Sequence, residues 1–172
     1  MINFLIVAND AYIKYAKSLI YSIDQYHKDY QIFLYLINPM PKSVKLLSKK
    51  TKYNLNIRII KKDLNQEIID IYSEEAAYSA NIRGKILKEL VESEEIDNLT
   101  YIDADSLVRG PIEFNKNYDI SFFVRPKRDS RKKTFYFSGL ISVNINPLNK
   151  ARLLNALNYF QERIEEYGLL KW

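Results

Sequence analysis

Leu99-Thr100-Tyr101-Ile102-Asp103-Ala104-Asp105-Ser106-Leu107-Val108 joins a short apolar run to two carboxylates one residue apart. Leu99 to Ile102 is β-branched and aromatic, which predicts a strand. Side chains two apart in an extended segment share a face, so Asp103 and Asp105 are expected to converge on one object. Two oxygen ligands in a chain without cysteine suit a hard divalent cation, Mn²⁺ or Mg²⁺. Such an ion keeps coordination positions open for phosphate oxygens of a substrate. A solvated acidic turn would have the same three residues, so the setting has to decide.

Upstream, Ile2 to Ala8 reads as a buried opening strand. Asn9-Asp10 can cap a helix from about Ala11 to Tyr26, with Tyr12, Ala16, Leu19 and Ile23 on its inner face. Gln31 to Ile37 is strand-like and ends at Asn38-Pro39-Met40-Pro41. Lys42 to Lys52 reads as a basic surface helix with Val44 and Leu47 inward, and Asn56 to Ile60 as a third strand. This alternation predicts an α/β domain with a mostly parallel, Rossmann-like sheet and helices on both faces. Ligands of such sheets gather beyond the carboxyl ends of the strands, where Asn9-Asp10 and Asp103-Asp105 would both lie.

Ser73 to Ser93 has the next helical pattern, with a stripe of Ile82, Ile86 and Leu90 reinforced by Leu87 and Val91. Gly84 costs such a helix about 1 kcal/mol against alanine, which fits a close contact there. Arg83 lies early in this helix, where its charge gains nothing from the helix dipole. Physics alone leaves it in solvent. Arg109-Gly110-Pro111 predicts a turn, Asp119 to Val124 a strand, and Tyr136 to Ile145 a strand buried on both faces. Asn146-Pro147 reads as cap and first position of a last helix, with Leu154, Leu157, Phe160 and Ile164 inward and Gly168 closing it.

Between those two strands runs Arg125-Pro126-Lys127-Arg128-Asp129-Ser130-Arg131-Lys132-Lys133, six cations with one aspartate. Its +5 equals the net charge of all 172 residues, so the remainder is neutral. That concentration in one loop speaks against nucleic acid as the partner, because the 14 tyrosines fall on predicted strand and helix faces instead of interleaving with it. The length suits a single domain over residues 1–172. Absence of cysteine excludes disulfides and thiolate metal sites and fits a reducing compartment. No apolar run approaches the roughly 18 residues of a membrane span, and Ile2 to Ala8 has no basic leader, so a cytoplasmic protein is expected. His27, in Tyr26-His27-Lys28-Asp29, is expected on the surface at a polar helix end.

Four segments, in order, resemble the family 8 glycosyltransferases, retaining enzymes with the GT-A nucleotide-diphosphosugar fold. Phe4 to Tyr12 resembles their opening strand and nucleoside-holding turn, and Ser79 to Leu90 the helix with a donor-binding arginine. Leu99 to Ile112 resembles the metal-binding D-x-D with its flanks, and Tyr136 to Asn144 the strand written F-N-x-G-V-x-x-x-N. The resemblance implies that Asp105 and Asp103 hold Mn²⁺ or Mg²⁺. It places Ala8, Asn9, Tyr12, Arg83, Asp103 and Ala104 against a nucleoside diphosphate sugar, expected to be a UDP-sugar. Arg128, Arg131, Lys132, Lys133, Ser138 and Gly139 would then lie on the acceptor side. Six cations there point to an anionic glycan, lipid or other polymer.

The implied activity is metal-dependent transfer of a hexose to that acceptor; the alternative is a catalytically degenerate nucleotide-sugar-binding protein or subunit. Departures from the pattern are Asn9 in place of the usual aspartate, Ala11 in place of asparagine, and Phe137 in place of the asparagine of F-N-x-G. The family's aspartate-rich helix start and later metal-binding histidine have no counterpart before Trp172. The resemblance therefore implies either a minimal or truncated member, in which turnover would need a partner or a second copy in a homo-oligomer to complete the site, or a chain that binds donor without turning it over well.

Overall fold

A computed structural model describes residues 1–48, 53–63, 74–93, 96–113, 116–125 and 135–167. Its strands are β1 (Ile2–Asn9), β2 (Tyr30–Ile37), β3 (Leu55–Ile60), β4 (Asn98–Ile102), β5 (Ile120–Arg125) and β6 (Phe135–Asn144). Its helices are α1 (Ile13–Tyr26), α2 (Pro41–Ser48), α3 (Glu74–Glu92) and α4 (Lys150–Tyr167). The strands form one sheet in the order β3-β2-β1-β4-β6-β5. β3, β2, β1 and β4 run parallel, while β6 is antiparallel to both of its neighbours. The expected mostly parallel α/β sheet is therefore present, with an antiparallel hairpin-like pair at one side.

Period-two alternation divides the core between the two faces. Leu5, Val7, Phe33, Tyr35, Leu99 and Tyr101 face α3 and α4, meeting Ile86, Leu90, Leu153 and Leu157. Phe4, Ile6, Ile32, Leu34 and Ile102 face α1 and α2, meeting Ala16, Leu19, Ile23 and Leu47. Helices thus cover both faces, as the near-continuous apolar strands require. β6 follows suit, with Ile141 and Val143 in the first core and Leu140 against the second.

Connections from β1 to β2 and from β2 to β3 use helices on one face; the connection to β4 uses α3 on the other. Because β4 returns beside β1, the order in which strands are added to the sheet reverses between these two central, parallel strands. Such a reversal opens a crevice at their carboxyl ends, the usual ligand position in open α/β sheets.

Element boundaries depart from the sequence reading in two instructive places. Asn9 makes no side-chain cap, and Asp10–Tyr12 forms a 3-10 turn before α1 begins at Ile13. Tyr12 is accordingly exposed instead of joining Ala16, Leu19 and Ile23 in the core. The carboxylate of Asp10 accepts from Met40 N–H (3.0 Å) and Ser43 Oγ (2.6 Å), clipping the start of α2 to the end of β1. These contacts hold Asp10 below the usual carboxylate range, with the Ser43 hydroxyl the larger influence.

α4 starts three residues after Pro147, because two asparagines share the capping. Asn146 Oδ1 accepts from the N–H groups of Leu148 (3.0 Å) and Asn149 (3.1 Å), and Asn149 Oδ1 accepts from Asn146 N–H (2.9 Å). Gly168, the expected helix stop, lies outside the described residues, as do Lys49 to Lys52 of the expected second helix.

Packing decides stability here. Leu19 is fully buried, so Leu19→Ala should cost about 2–5 kcal/mol in a denaturant melt. Leu148, 97% exposed, should change by no more than about 0.5 kcal/mol when made alanine. Similar costs at both positions would contradict the assigned core.

Candidate functional site

β4 delivers the acidic stretch to the carboxyl edge of the sheet. Its last ladder contact is the Asp103 N–H donating to the Gly139 carbonyl at 2.9 Å. Ser106 N–H then donates to the Asp103 carbonyl at 3.0 Å, so residues 103–106 form a turn. The extended, same-face geometry expected for Asp103 and Asp105 therefore stops at Asp103, and Asp105 is placed by the turn. Asp105 is exposed and Asp103 half-buried.

Asp103 is held from two sides. Oδ1 accepts from the Tyr101 hydroxyl and from Arg83 Nη1, the latter at 3.2 Å. Arg83 also donates to the Tyr101 oxygen at 3.4 Å, with its guanidinium carbon 5.5 Å from the centre of the Tyr101 ring. Arg83 thus reaches from α3 across the sheet edge, and its side chain is only 19% exposed. The solvent-exposed arginine of the residue-level reading is corrected. Burial pushes the Tyr101 phenol up, with Asp103 adding to the effect against Arg83, so the hydroxyl stays a proton donor. With Oδ1 satisfied twice, the second carboxylate oxygen of Asp103 remains for another partner.

Tyr101 was not singled out by sequence reasoning, although the information was there. It lies two residues before Asp103 on a strand, hence on the same face and toward α3.

β1 ends beside this turn. Asn9 Oδ1 is buried and has no hydrogen-bond partner among the described residues, an arrangement that costs about 1–3 kcal/mol unless something supplies a donor. Ala8 and Ala104 are buried in the α1-side core with Ile102 and Val108. Any contact they make to a ligand is therefore through backbone. Tyr12 is 43% exposed and its ring lies 5.8 Å from that of Tyr15. Gly139 is buried against Asp103, and Ser138 lies in β6. Arg128, Arg131, Lys132 and Lys133 lie outside the described residues. Among the described residues no group of three or more His, Asp or Glu side chains gathers around a common point.

The segment after the carboxylates is tied down by two side chains of the α1 region. Val108 N–H donates to Ser22 Oγ at 3.0 Å, and Ile112 N–H donates to His27 Nε2 at 3.2 Å. His27 is buried, edge-on to Phe4 at 5.2 Å, which corrects the expected surface position. Its polar neighbours conceal that one ring at the helix end turns back under the loop.

No sequence family matches the chain, and no curated protein does. Solved structures do. An active-site mutant of LgtC superposes with a TM-score of 0.66 at 14% identity, over 99% of this chain and 66% of that one. The galactosyltransferase LgtC in complex with donor and acceptor sugar analogues gives 0.63 at 16% identity, over 96% and 65%. The apo glycosyltransferase GlyE of Streptococcus pneumoniae gives 0.58 at 11% identity, over 99% and 40%. The fold is the GT-A-like fold of glycosyltransferases. The chain spans less than two thirds of the length of each of these structures.

Burial holds the His27 pKa below its ordinary 6.5. The unfolded chain therefore takes up the proton first as pH falls, so stability is complete above about pH 6.5 and declines below it. Protonation would also remove the acceptor for Ile112. His27→Gln keeps an acceptor without titrating, so its melting temperature should fall less than the wild type's between about pH 7.5 and 5.5. Parallel pH profiles for the two proteins would contradict this role.

Proposed function

We propose that the chain is a metal-dependent glycosyltransferase that moves a sugar from a nucleoside diphosphate sugar, a UDP-sugar by preference, to an acceptor of anionic character. The observation that carries this reading is the convergence of Arg83 and Asp103 beside Asp105, at the carboxyl edge of the β1–β4 crevice, in a glycosyltransferase fold. Fold likeness at this identity supports a reaction class and leaves the substrates to the site.

The residues fit a Mn²⁺ or Mg²⁺ ion. Asp105 is exposed, Asp103 has one oxygen uncommitted to Arg83 and Tyr101, and two carboxylates leave most of a hard cation's coordination for phosphate and water. Bound there, the ion would offset the pyrophosphate charge and stabilise the departing nucleoside diphosphate. Arg83 supplies a fixed, partly buried cation for the donor's phosphates or sugar. A planar guanidinium already oriented by Tyr101 and Asp103 loses little freedom on engaging an oxyanion. The unmatched Asn9 oxygen suits the imide N–H of a uracil ring, which would recover the cost of its burial. Tyr12, exposed at the same edge, offers a ring to the nucleoside.

Hydrolysis or transfer of UDP-sugars in the presence of manganese tests the proposal. Slow release of UDP supports transferase chemistry; tight donor binding with no turnover would favour the binding-protein alternative. Arg83→Ala should weaken UDP-sugar binding by roughly 10- to 150-fold, the worth of a charged hydrogen bond. Arg83→Lys should restore little, because it lacks the fork. Unchanged binding in both variants would remove Arg83 from the donor site.

A further inference from the structure

The outer side of α1 and α2 has no part in the donor site proposed above. Along α1, Lys14, Lys17, Ser18 and Tyr21 recur on one helical face, opposite the buried Ile13, Ala16, Leu19 and Ile23. This face, the start of α2 and Leu107 line an open groove of about 730 Å³. Tyr21 is 52% exposed, Leu46 47% and Leu107 62%. Tyr15, Tyr26 and Met40 are exposed on the same two elements and their connection. Lys14 lies 4.8 Å over the Tyr15 ring, so cation and aromatic surface are interleaved.

Cations outnumber acids on this face. α2 carries Lys42 and Lys45 and no acid, and α1 carries Lys14 and Lys17 with one acid, Asp24. Asp24 accepts from the Tyr30 hydroxyl at 2.8 Å, and Asp10, which lines the groove, accepts from Ser43 and Met40, so two carboxylates stand against four lysines and the face stays cationic. Scattered tyrosines and leucines among lysines are the composition of a surface that lies in a lipid headgroup layer. There the tyrosine ring sits at the apolar boundary and lysine reaches phosphate. Protein–protein interface cores, by contrast, are depleted in lysine. The bidentate forks that favour arginine at bases and phosphates are missing from this face, since neither helix carries an arginine.

We propose that the outer face of α1 and α2 docks on an anionic lipid bilayer, with Lys14, Lys17, Lys42 and Lys45 meeting the headgroups and Tyr21, Leu46 and Leu107 entering the interface. Leu107 lies two residues beyond Asp105, so docking would set the carboxyl edge of the sheet at the membrane surface, where lipid-borne acceptors are presented. That last consequence rests on the proposed transferase reading; the docking itself does not.

Sedimentation with vesicles, in the absence of donor and metal, tests it. The chain should pellet with vesicles of equal parts phosphatidylcholine and phosphatidylglycerol, remain in solution with phosphatidylcholine alone, and be released by salt. Glutamine at Lys14, Lys17, Lys42 and Lys45 should lower partitioning by at least about tenfold, and Tyr21→Ser with Leu46→Ser should lower it with little change in melting temperature. Glutamine at Arg128, Arg131, Lys132 and Lys133 should leave most of the binding intact. The proposal is overturned if no anionic vesicle retains the chain, or if binding is lost only in that second set. Tighter capture by a single-stranded oligonucleotide than by the vesicles would also overturn it.

Discussion

The parallel pairing of β1 with β4, through Phe4 opposite Thr100 and Leu5 opposite Tyr101, joins residues almost a hundred positions apart. Everything at the site follows from it. It forces the connection through α3 to cross to the other face of the sheet, which brings Arg83 over the strand ends. It also sets the end of β1, with its unmatched Asn9 oxygen, beside the turn that carries Asp103 and Asp105. Parallel strands need such long crossovers, and the helix that makes this one also supplies the cation.

Around that pairing the protein commits polar groups to hold charge. Tyr101 and Arg83 both bind one oxygen of Asp103, so the carboxylate is oriented before any ligand arrives. Beyond it, Ser22 and His27 fasten the following segment at Val108 and Ile112. A flexible acidic turn would lose entropy on closing around a diphosphate; a fastened one loses less. Preorganisation of this kind is expected where binding has to select an oxyanion in water.

Much of the fold was legible because strands buried on both faces leave an unmistakable apolar signature, and α1 and α3 a clear helical one. Asp103, Asp105 and Arg83 stood out once their flanking segments were compared with a known family, whereas spacing alone left Arg83 in solvent. What escaped were contacts between distant residues. Asp10 looks like a local cap, yet its partners are Met40 and Ser43, and no rule of local sequence announces that. His27 sits among polar neighbours, so its burial depends on a loop eighty-five residues away. The i,i+2 argument for the two aspartates was sound for a strand and failed because β4 ends at Ile102 and a turn takes over at Asp103, before Asp105 is reached.

The account stands or falls on whether Asp103 and Asp105 make a cation site shared with the donor. Two carboxylates alone should hold Mn²⁺ weakly, and a diphosphate facing them without a cation should be repelled, so the two ligands must bind together. Calorimetric titration of UDP into the protein with and without Mn²⁺, repeated on the variant with Asp103→Asn and Asp105→Asn, measures this directly. UDP affinity should rise strongly with Mn²⁺ in the wild type and be insensitive to it in the variant. Equal, metal-dependent UDP binding by both proteins would contradict the assignment.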